Sequence, residues 1–272
     1  MASILTTDMG DTNKVVKYVR DCEEMGILVL PPNVNHSDMD FTATDEGIRF
    51  GLAAIKNVGT GAVRTIIQER KKKGKYKSLD DFCERAKNGV LSKSLIESLI
   101  RAGAFDSMGH TRATCLHALP DAVERAQKVQ KDKAAGQDSL FGDFLDENAS
   151  AEDTIKEELP ELEKSELLKY EKLLLGFYFS GHPLAKFENE LSLFVTGQAG
   201  NMMDKEDQTK VRLAGIVSNL KKKKTKNGDR MGTFLLEDQT GSVEVAVMPN
   251  LLTEREEVIK DDEILIVEGV AS

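Results

Sequence analysis

Residues 52–70 read LAAIKNVGTGAVRTIIQER, and the fold follows from how this stretch is parsed. Apolar helical turns flank Val58, Gly59, Thr60, Gly61 and Ala62, and the second of them carries Val63, Ile66 and Ile67 at helical spacing. Glycine has no Cβ, so Gly59 and Gly61 are expected to let the backbone turn sharply and to let a partner come close. The first N–H groups of the second helix would then face outward, where they favour an anion. A nucleic-acid phosphate, contacted without regard to base sequence, fits that chemistry. An ordinary tight turn between packed helices has the same pattern, and the charge that follows decides between the two. From Lys56 to Lys77 there are eight basic residues (Lys56, Arg64, Arg70, Lys71, Lys72, Lys73, Lys75, Lys77) against one acid, Glu69, a local +7 in a chain of net charge −9. Lys56, Gly59, Thr60, Gly61, Arg64, Lys71, Lys72 and Lys73 are therefore the candidate contacts to a DNA backbone.

A chain of 272 residues holds about two domains and buries a sizeable core. Cys22, Cys83 and Cys115 lie far apart with no C-x-x-C spacing, which argues against a zinc site and against a disulfide framework, and points to a reducing cytosol. No apolar run approaches the ~20 residues of a membrane span, and no signal peptide is visible, so no membrane partner is expected. The positive charge is gathered in patches, the form a nucleic-acid footprint takes in an acidic chain.

Ahead of the organising stretch, residues 11–26 read as an amphipathic helix with Val15, Val16, Val19 and Cys22 on one face and Gly26 as its stop. Residues 27–30 form a short apolar strand halted by Pro31 and Pro32, and two further strands meet at the turn Asp45, Glu46, Gly47. Behind it, Ser78 caps a helix over residues 78–86, with Leu79, Phe82 and Cys83 inward. Residues 92–102 repeat the theme with Leu95, Ile96, Leu99 and Ile100, ended by Gly103. Two helices and a turn, with Phe105 docking afterwards, suggest a second, degenerate helix-hairpin-helix unit. Helix resumes over residues 111–135, where Pro120 is expected to start a new helix or kink the old one.

Between Asp143 and Glu166 there are ten acids against two lysines, a composition expected to give a solvated and largely mobile linker. Helices follow over residues 167–176 and from Pro183 to near Phe194. From Val211 the period becomes two. Four strands, with a helix over residues 251–259 before the fourth, have the order of a five-stranded OB barrel, and the fifth strand is missing. Lys221, Lys222, Lys223, Lys224, Lys226 and Arg230 crowd its first hairpin loop with only Asp229 opposing. They are either a solvated tip that keeps the edge soluble or a track for single-stranded backbone. Stacking aromatics are sparse, with Phe234 alone on the strands.

These pieces, in this order, resemble the C-terminal part of the family C bacterial replicative polymerases, the DNA polymerase III alpha subunits. The segments that carry the likeness are TTDMGDTNKV, GILVLPPNVN, IRFGLAAIKNVGTGAV, SLDDFCERA, LIRAGAFD, GQDSLFG, LGFYFSGHPL and FLLEDQTGSVEVAV, spread over nearly the whole chain. The resemblance implies a mainly α, multidomain fold. The end of the fingers (residues 1–50) carries a small β element. A tandem helix-hairpin-helix DNA-binding module covers 51–135, a clamp-contacting segment with helices 136–195, and an incomplete all-β OB-fold 205–272. It also implies partners: duplex primer-template, single-stranded template, the sliding clamp (the beta subunit), and other replicase subunits through regions outside this chain. The expected location is the bacterial cytoplasm, at the nucleoid.

The family's internal clamp motif is a Gln-x-x-Leu-Phe type peptide, and Gln137, Asp138, Ser139, Leu140 and Phe141 stand at its place. Leu140 and Phe141 would fill an apolar pocket while Gln137 makes a directed hydrogen bond. Asp138 departs from the apolar or small residue common at that position. Nucleotidyl transfer needs metal ions held by clustered carboxylates. Asp38 and Asp40 have a tempting spacing without a third acid, and the resemblance puts the catalytic aspartates and their Mg2+ in the palm, upstream of this chain. His36, His110, His117 and His182 share no ligand spacing, so no catalytic residue, metal ligand or cofactor is assigned here. His182, before Pro183, reads as a helix-start residue. Two other readings stand beside this one: a free-standing repair or recombination adaptor bridging DNA and a clamp, against which the truncated barrel speaks, and a hydrolase with an unrecognised site.

Overall fold

The computed structural model describes residues 1–85, 92–134, 154–224 and 230–272, which form two compact units, Met1–Ser180 and Gly181–Ser272. The first unit opens with α1 (Ala2–Thr7), which carries no clear sequence signal, and α2 (Thr12–Glu24). Asp11 caps α2, its Oδ1 accepting from the Lys14 N–H at 3.3 Å, and Gly26 ends the turn at φ +69°. The strands β1 (Val29–Leu30), β2 (Thr42–Thr44) and β3 (Gly47–Arg49) form a sheet of order β1-β3-β2, with β2 and β3 paired antiparallel across the predicted turn. β1 runs parallel to β3.

A 3-10 turn at Leu52–Ala54 leads to α3 (Thr60–Lys73), α4 (Leu79–Arg85), α5 (Lys93–Arg101), α6 (Arg112–Ala134) and α7 (Lys164–Leu175). Ser78 Oγ accepts from the Asp81 N–H at 3.2 Å while Asp81 Oδ2 accepts from the Lys77 N–H at 2.9 Å, so α4 starts on a reciprocal cap. Ser92 caps α5 by accepting from the Leu95 N–H at 3.2 Å. Pro120 does not start a new helix, and α6 runs through it. The helix buries Cys115, Ala118, Leu119, Ala122 and Ala126 and packs on α4 and α5, and this burial carries it past the missing donor. Phe50, Leu52, Ile66, Phe82, Leu99 and Phe105 lie in one core with buried residues of α2 and α7, and the Phe82 and Phe105 rings meet edge-on at 4.9 Å.

Part of the acidic run is not a solvated linker. Residues 154–163 lie along the helical unit, and their carboxylates cap α6. Glu158 accepts from the Thr111 N–H (2.7 Å) and from His110 Nδ1 (2.8 Å), and Glu161 accepts from the Arg112 (3.0 Å) and Ala113 (3.1 Å) N–H groups. A long helix presents unsatisfied donors at its start, and the acids answer them. The Thr111 N–H, with help from His110, holds the Glu158 pKa down to about 2. Upstream, the Thr154 N–H donates to Asp80 Oδ2 at 2.9 Å. The remainder of the run, to residue 153, lies outside the described residues.

The second unit begins with 3-10 turns at Pro183–Phe187 and Ala199–Asp204 around α8 (Glu188–Ser192). His182 is the helix-start residue expected, its Nδ1 accepting from the Leu184 N–H at 3.2 Å. Strands β4 (Lys210–Lys224), β5 (Arg230–Glu237), β6 (Ser242–Val247) and β7 (Ile264–Val270) pair antiparallel in the order β6-β5-β4-β7, and α9 (Pro249–Arg255) precedes β7. Val211, Val217, Phe234, Leu236, Val247 and Leu252 build its core.

Candidate nucleic-acid interface

The turn into α3 is made differently from the sequence expectation. Upstream of it stands a single 3-10 turn rather than a helix, fixed by buried Leu52, Ile55 and Val58 and by the Lys56 N–H donating to Leu174 O at 2.9 Å. The left-handed residue is Asn57, at φ +67°, while Gly59 is extended at φ −71°. Gly59 is the N-cap of α3 and makes no side-chain cap, and Gly61 lies in the first helical turn. Neither glycine is required by backbone conformation, and a Cβ at either would meet nothing among the described residues within 4 Å. Glycine in a helix costs about 1 kcal/mol relative to alanine, so the demand for a bare backbone comes from outside the chain or is absent.

The main-chain ladder of α3 begins with the Val63 N–H on Gly59 O, at 3.1 Å. Among the described residues nothing accepts from the N–H groups of Thr60, Gly61 and Ala62. The positive end of a 14-residue helix thus carries three N–H groups with no partner among the described residues; Thr60 and Gly61 are exposed, as are Lys56 and Arg64, while Ala62 is buried.

Along α3, Ala62, Val63, Ile66 and Glu69 are buried, and Gly61, Arg64, Gln68, Lys71 and Lys72 form the opposite, exposed stripe. At 1.5 Å per residue the stripe runs about 17 Å, so the hairpin and the lysine run are two ends of one face rather than a single cluster. Gln68 is an addition that helical spacing from Arg64 could have supplied. Two cations in the sequence count are committed within the fold. Arg70 donates to Val34 O (3.0 Å), Ser37 O (2.7 Å) and Asp38 Oδ1 (3.0 Å), pinning the loop before β2 to the helix. Lys73 pairs with Glu69 at 3.2 Å. Lys71, Lys72 and Lys73 also sit where cations stabilise a helix C-terminus.

In the second unit the lysines are strand residues, not loop residues. Lys221, Lys222, Lys223 and Lys224 extend β4 opposite Thr233, Gly232, Met231 and Arg230. The register shifts between Ser218 and Lys221, where Asn219 takes φ +56°, and a bulge of this kind lets a strand run on at an altered twist. All four lysines are exposed, with Lys222 paired to Glu256. Phe234 is in the core, 2% exposed, and is not available for stacking. The interface here is a charged ribbon without an aromatic platform on the described strands. Residues 225–229, which hold Lys226 and Asp229, and residues 86–91, between α4 and α5 in sequence, lie outside the described residues. So do Gln137, Asp138, Ser139, Leu140 and Phe141.

The helix-hairpin-helix motif family matches residues 26–115, and an OB-fold nucleic acid binding domain family matches residues 211–272. DNA polymerase III subunit alpha of Aquifex aeolicus is 38% identical over 266 residues, 97% of this chain and 21% of its own length. The Mycobacterium tuberculosis (strain ATCC 25618 / H37Rv) subunit is 36% identical over 98% of the chain, and that of Escherichia coli (strain K12) 35% over all of it. The chain belongs to the DNA polymerase III alpha subunit family. It spans about a quarter or less of these relatives' length, 21–24%.

The chain thus carries a helix-hairpin-helix motif and an OB-fold nucleic acid binding domain, in that order. Asp38 is held by Arg70, and no group of three or more His, Cys, Asp or Glu side chains converges among the described residues. No helix of the described residues is long and apolar enough to cross a membrane.

Proposed function

We propose that this region of the alpha subunit holds DNA and the sliding clamp for the polymerase without carrying the catalytic carboxylates. The observation that carries the reading is the bare start of α3, with three N–H groups unpartnered among the described residues, two glycines that no described residue requires, and exposed Lys56 and Arg64 nearby in sequence. A duplex phosphate there would accept from the backbone and lie between two cations, giving grip without base readout. The stripe of Gln68, Lys71 and Lys72 would follow the same backbone along α3. The β4–β5 ribbon would take single-stranded template by charge. Gln137, Asp138, Ser139, Leu140 and Phe141 would bind the clamp.

The test is the salt dependence of duplex binding. Each neutralised B-DNA phosphate contributes about 0.9 to the slope of log K against log salt. With Lys56→Ala and Arg64→Ala combined, a primer-template titration should lose about two units of slope, with affinity falling at low salt. A slope equal to the parent's would remove these two residues from the interface.

A further inference from the structure

On the β4–β5 ribbon one acid opposes the cations. Beyond the bulge at Asn219 the side chains alternate, so Lys222 and Lys224 share a face with Leu220, and Arg230 lies across from Lys224. α9 lies close over this face. A Cβ on Gly232, opposite Lys222, would stand 3.2 Å from Leu252 Cδ1, and Leu252 is buried. This approach places Glu256, the C-cap of α9, over the ribbon. Its Oε1 lies 2.7 Å from Lys222 Nζ and 3.8 Å from Arg230 Nη1. One carboxylate oxygen thus bridges cations of two neighbouring strands, the place a phosphate oxygen on the ribbon would occupy. The hydrogen bond from Lys222, then its charge, lowers the Glu256 pKa, so the bridging group is an anion at neutral pH.

We propose that Glu256 is an internal competitor of nucleic-acid phosphate at Lys222 and Arg230, holding the affinity of the OB unit below what its lysines alone would give. The proposal deepens the reading of the ribbon as a single-strand track and rests on it. All three side chains are 40–66% exposed, so the contact adds little to the fold and exchanges readily with solvent. An intramolecular anion also competes at a high effective concentration. A single phosphate displaces it poorly. A strand that engages Lys221, Lys223 and Lys224 at the same time displaces it more easily.

The experiment is a titration of a fluorescein-labelled oligothymidylate against the full chain, read by anisotropy at several salt concentrations. Glu256→Gln should tighten binding about two- to fivefold at low salt, the range of an exposed ion pair, and steepen the salt slope by about 0.7 for one further single-strand phosphate. Lys222→Ala should weaken binding. With Lys222→Ala and Arg230→Ala both in place, Glu256→Gln should have no further effect. If Lys222→Ala weakens binding and Glu256→Gln leaves it unchanged, the competitor is overturned and the track stands. An equal gain from Glu256→Gln with and without its two partners would mark a general charge effect and overturn it too. If neither variant moves the affinity, the track reading falls and the competitor with it. Unchanged far-UV circular dichroism identifies the variants that have kept the fold, and Glu256→Ser serves as a second neutral replacement.

Discussion

Arg112→Ala is expected to destabilise the helical unit by about 3–5 kcal/mol, the cost of leaving a buried ion pair without one partner. Arg112 donates to Asp106 (Nη2 to Oδ2, 2.8 Å), to Glu171 Oε1 (3.3 Å) and to Arg101 O (3.2 Å). The Glu171 side chain is 1% exposed, and its other oxygen accepts from the Phe179 (2.7 Å) and Ser180 (2.8 Å) N–H groups. Burial works against the Arg112 charge, but Asp106 and Glu171 outweigh it and raise its pKa. The node ties the start of α6, the turn after α5 and the end of α7 together, so losing the guanidinium strands a carboxylate in the core. Urea unfolding followed by circular dichroism measures the effect. Arg112→Met with Glu171→Gln should recover part of it, because the glutamine carries no charge and its Oε1 can still accept from the Phe179 and Ser180 N–H groups. An Arg112→Ala variant as stable as the parent would show that water satisfies Glu171.

Leu140→Ala combined with Phe141→Ala is expected to remove at least ~2 kcal/mol of sliding-clamp binding, about 30-fold. A short peptide has few other groups to bury, so its two adjacent apolar side chains carry most of the affinity. The peptide follows α6 in sequence and precedes Thr154, which docks on Asp80, so a clamp bound to it would be tethered to the helical unit that is proposed to hold duplex. Such a tether makes the second contact intramolecular and turns two modest affinities into a strong joint one. Duplex binding without the clamp should stay within about twofold of the parent, since neither residue is among those proposed to contact duplex. Calorimetry with the isolated clamp decides this, and parental affinity in the double variant would return Leu140 and Phe141 to a packing role.

Local patterns in the sequence were enough to place most elements. The caps at Asp11, Ser78 and Ser92 mark helix starts, and Gly26, Gly103 and Gly176 end helices at positive φ. Alternation from Val211 gave the OB strands, with their order confirmed by pairing. What stayed hidden depends on residues far apart in the chain. A count of charge cannot separate Arg70, which is spent on Val34 and Ser37, from Arg64, which faces solvent. Nor does acidic composition reveal that Glu158 and Glu161 meet a helix start more than forty residues away. The glycines around Thr60 suggested a sharp turn, yet Asn57 makes it, because a short polar side chain also tolerates the left-handed region. The OB lysines looked like a loop because nothing in a run of lysines signals pairing, whereas the ladder to β5 continues through all four.

The central claim is that the start of α3 receives a duplex phosphate, and Gly61→Val tests it most directly. A Cβ at position 61 meets no described residue within 4 Å, and valine is a better helix residue than glycine, so the fold should be unchanged. It would instead stand between the N–H groups and the phosphate, whose charged hydrogen bonds are worth about 1.5–3 kcal/mol. The measurement is primer-template affinity by anisotropy at low salt, with thermal melting as the control on the fold. A variant that melts with the parent and binds duplex about tenfold or more weaker is the predicted result. A variant that melts with the parent and binds duplex equally well would contradict the account and leave the hairpin as a turn.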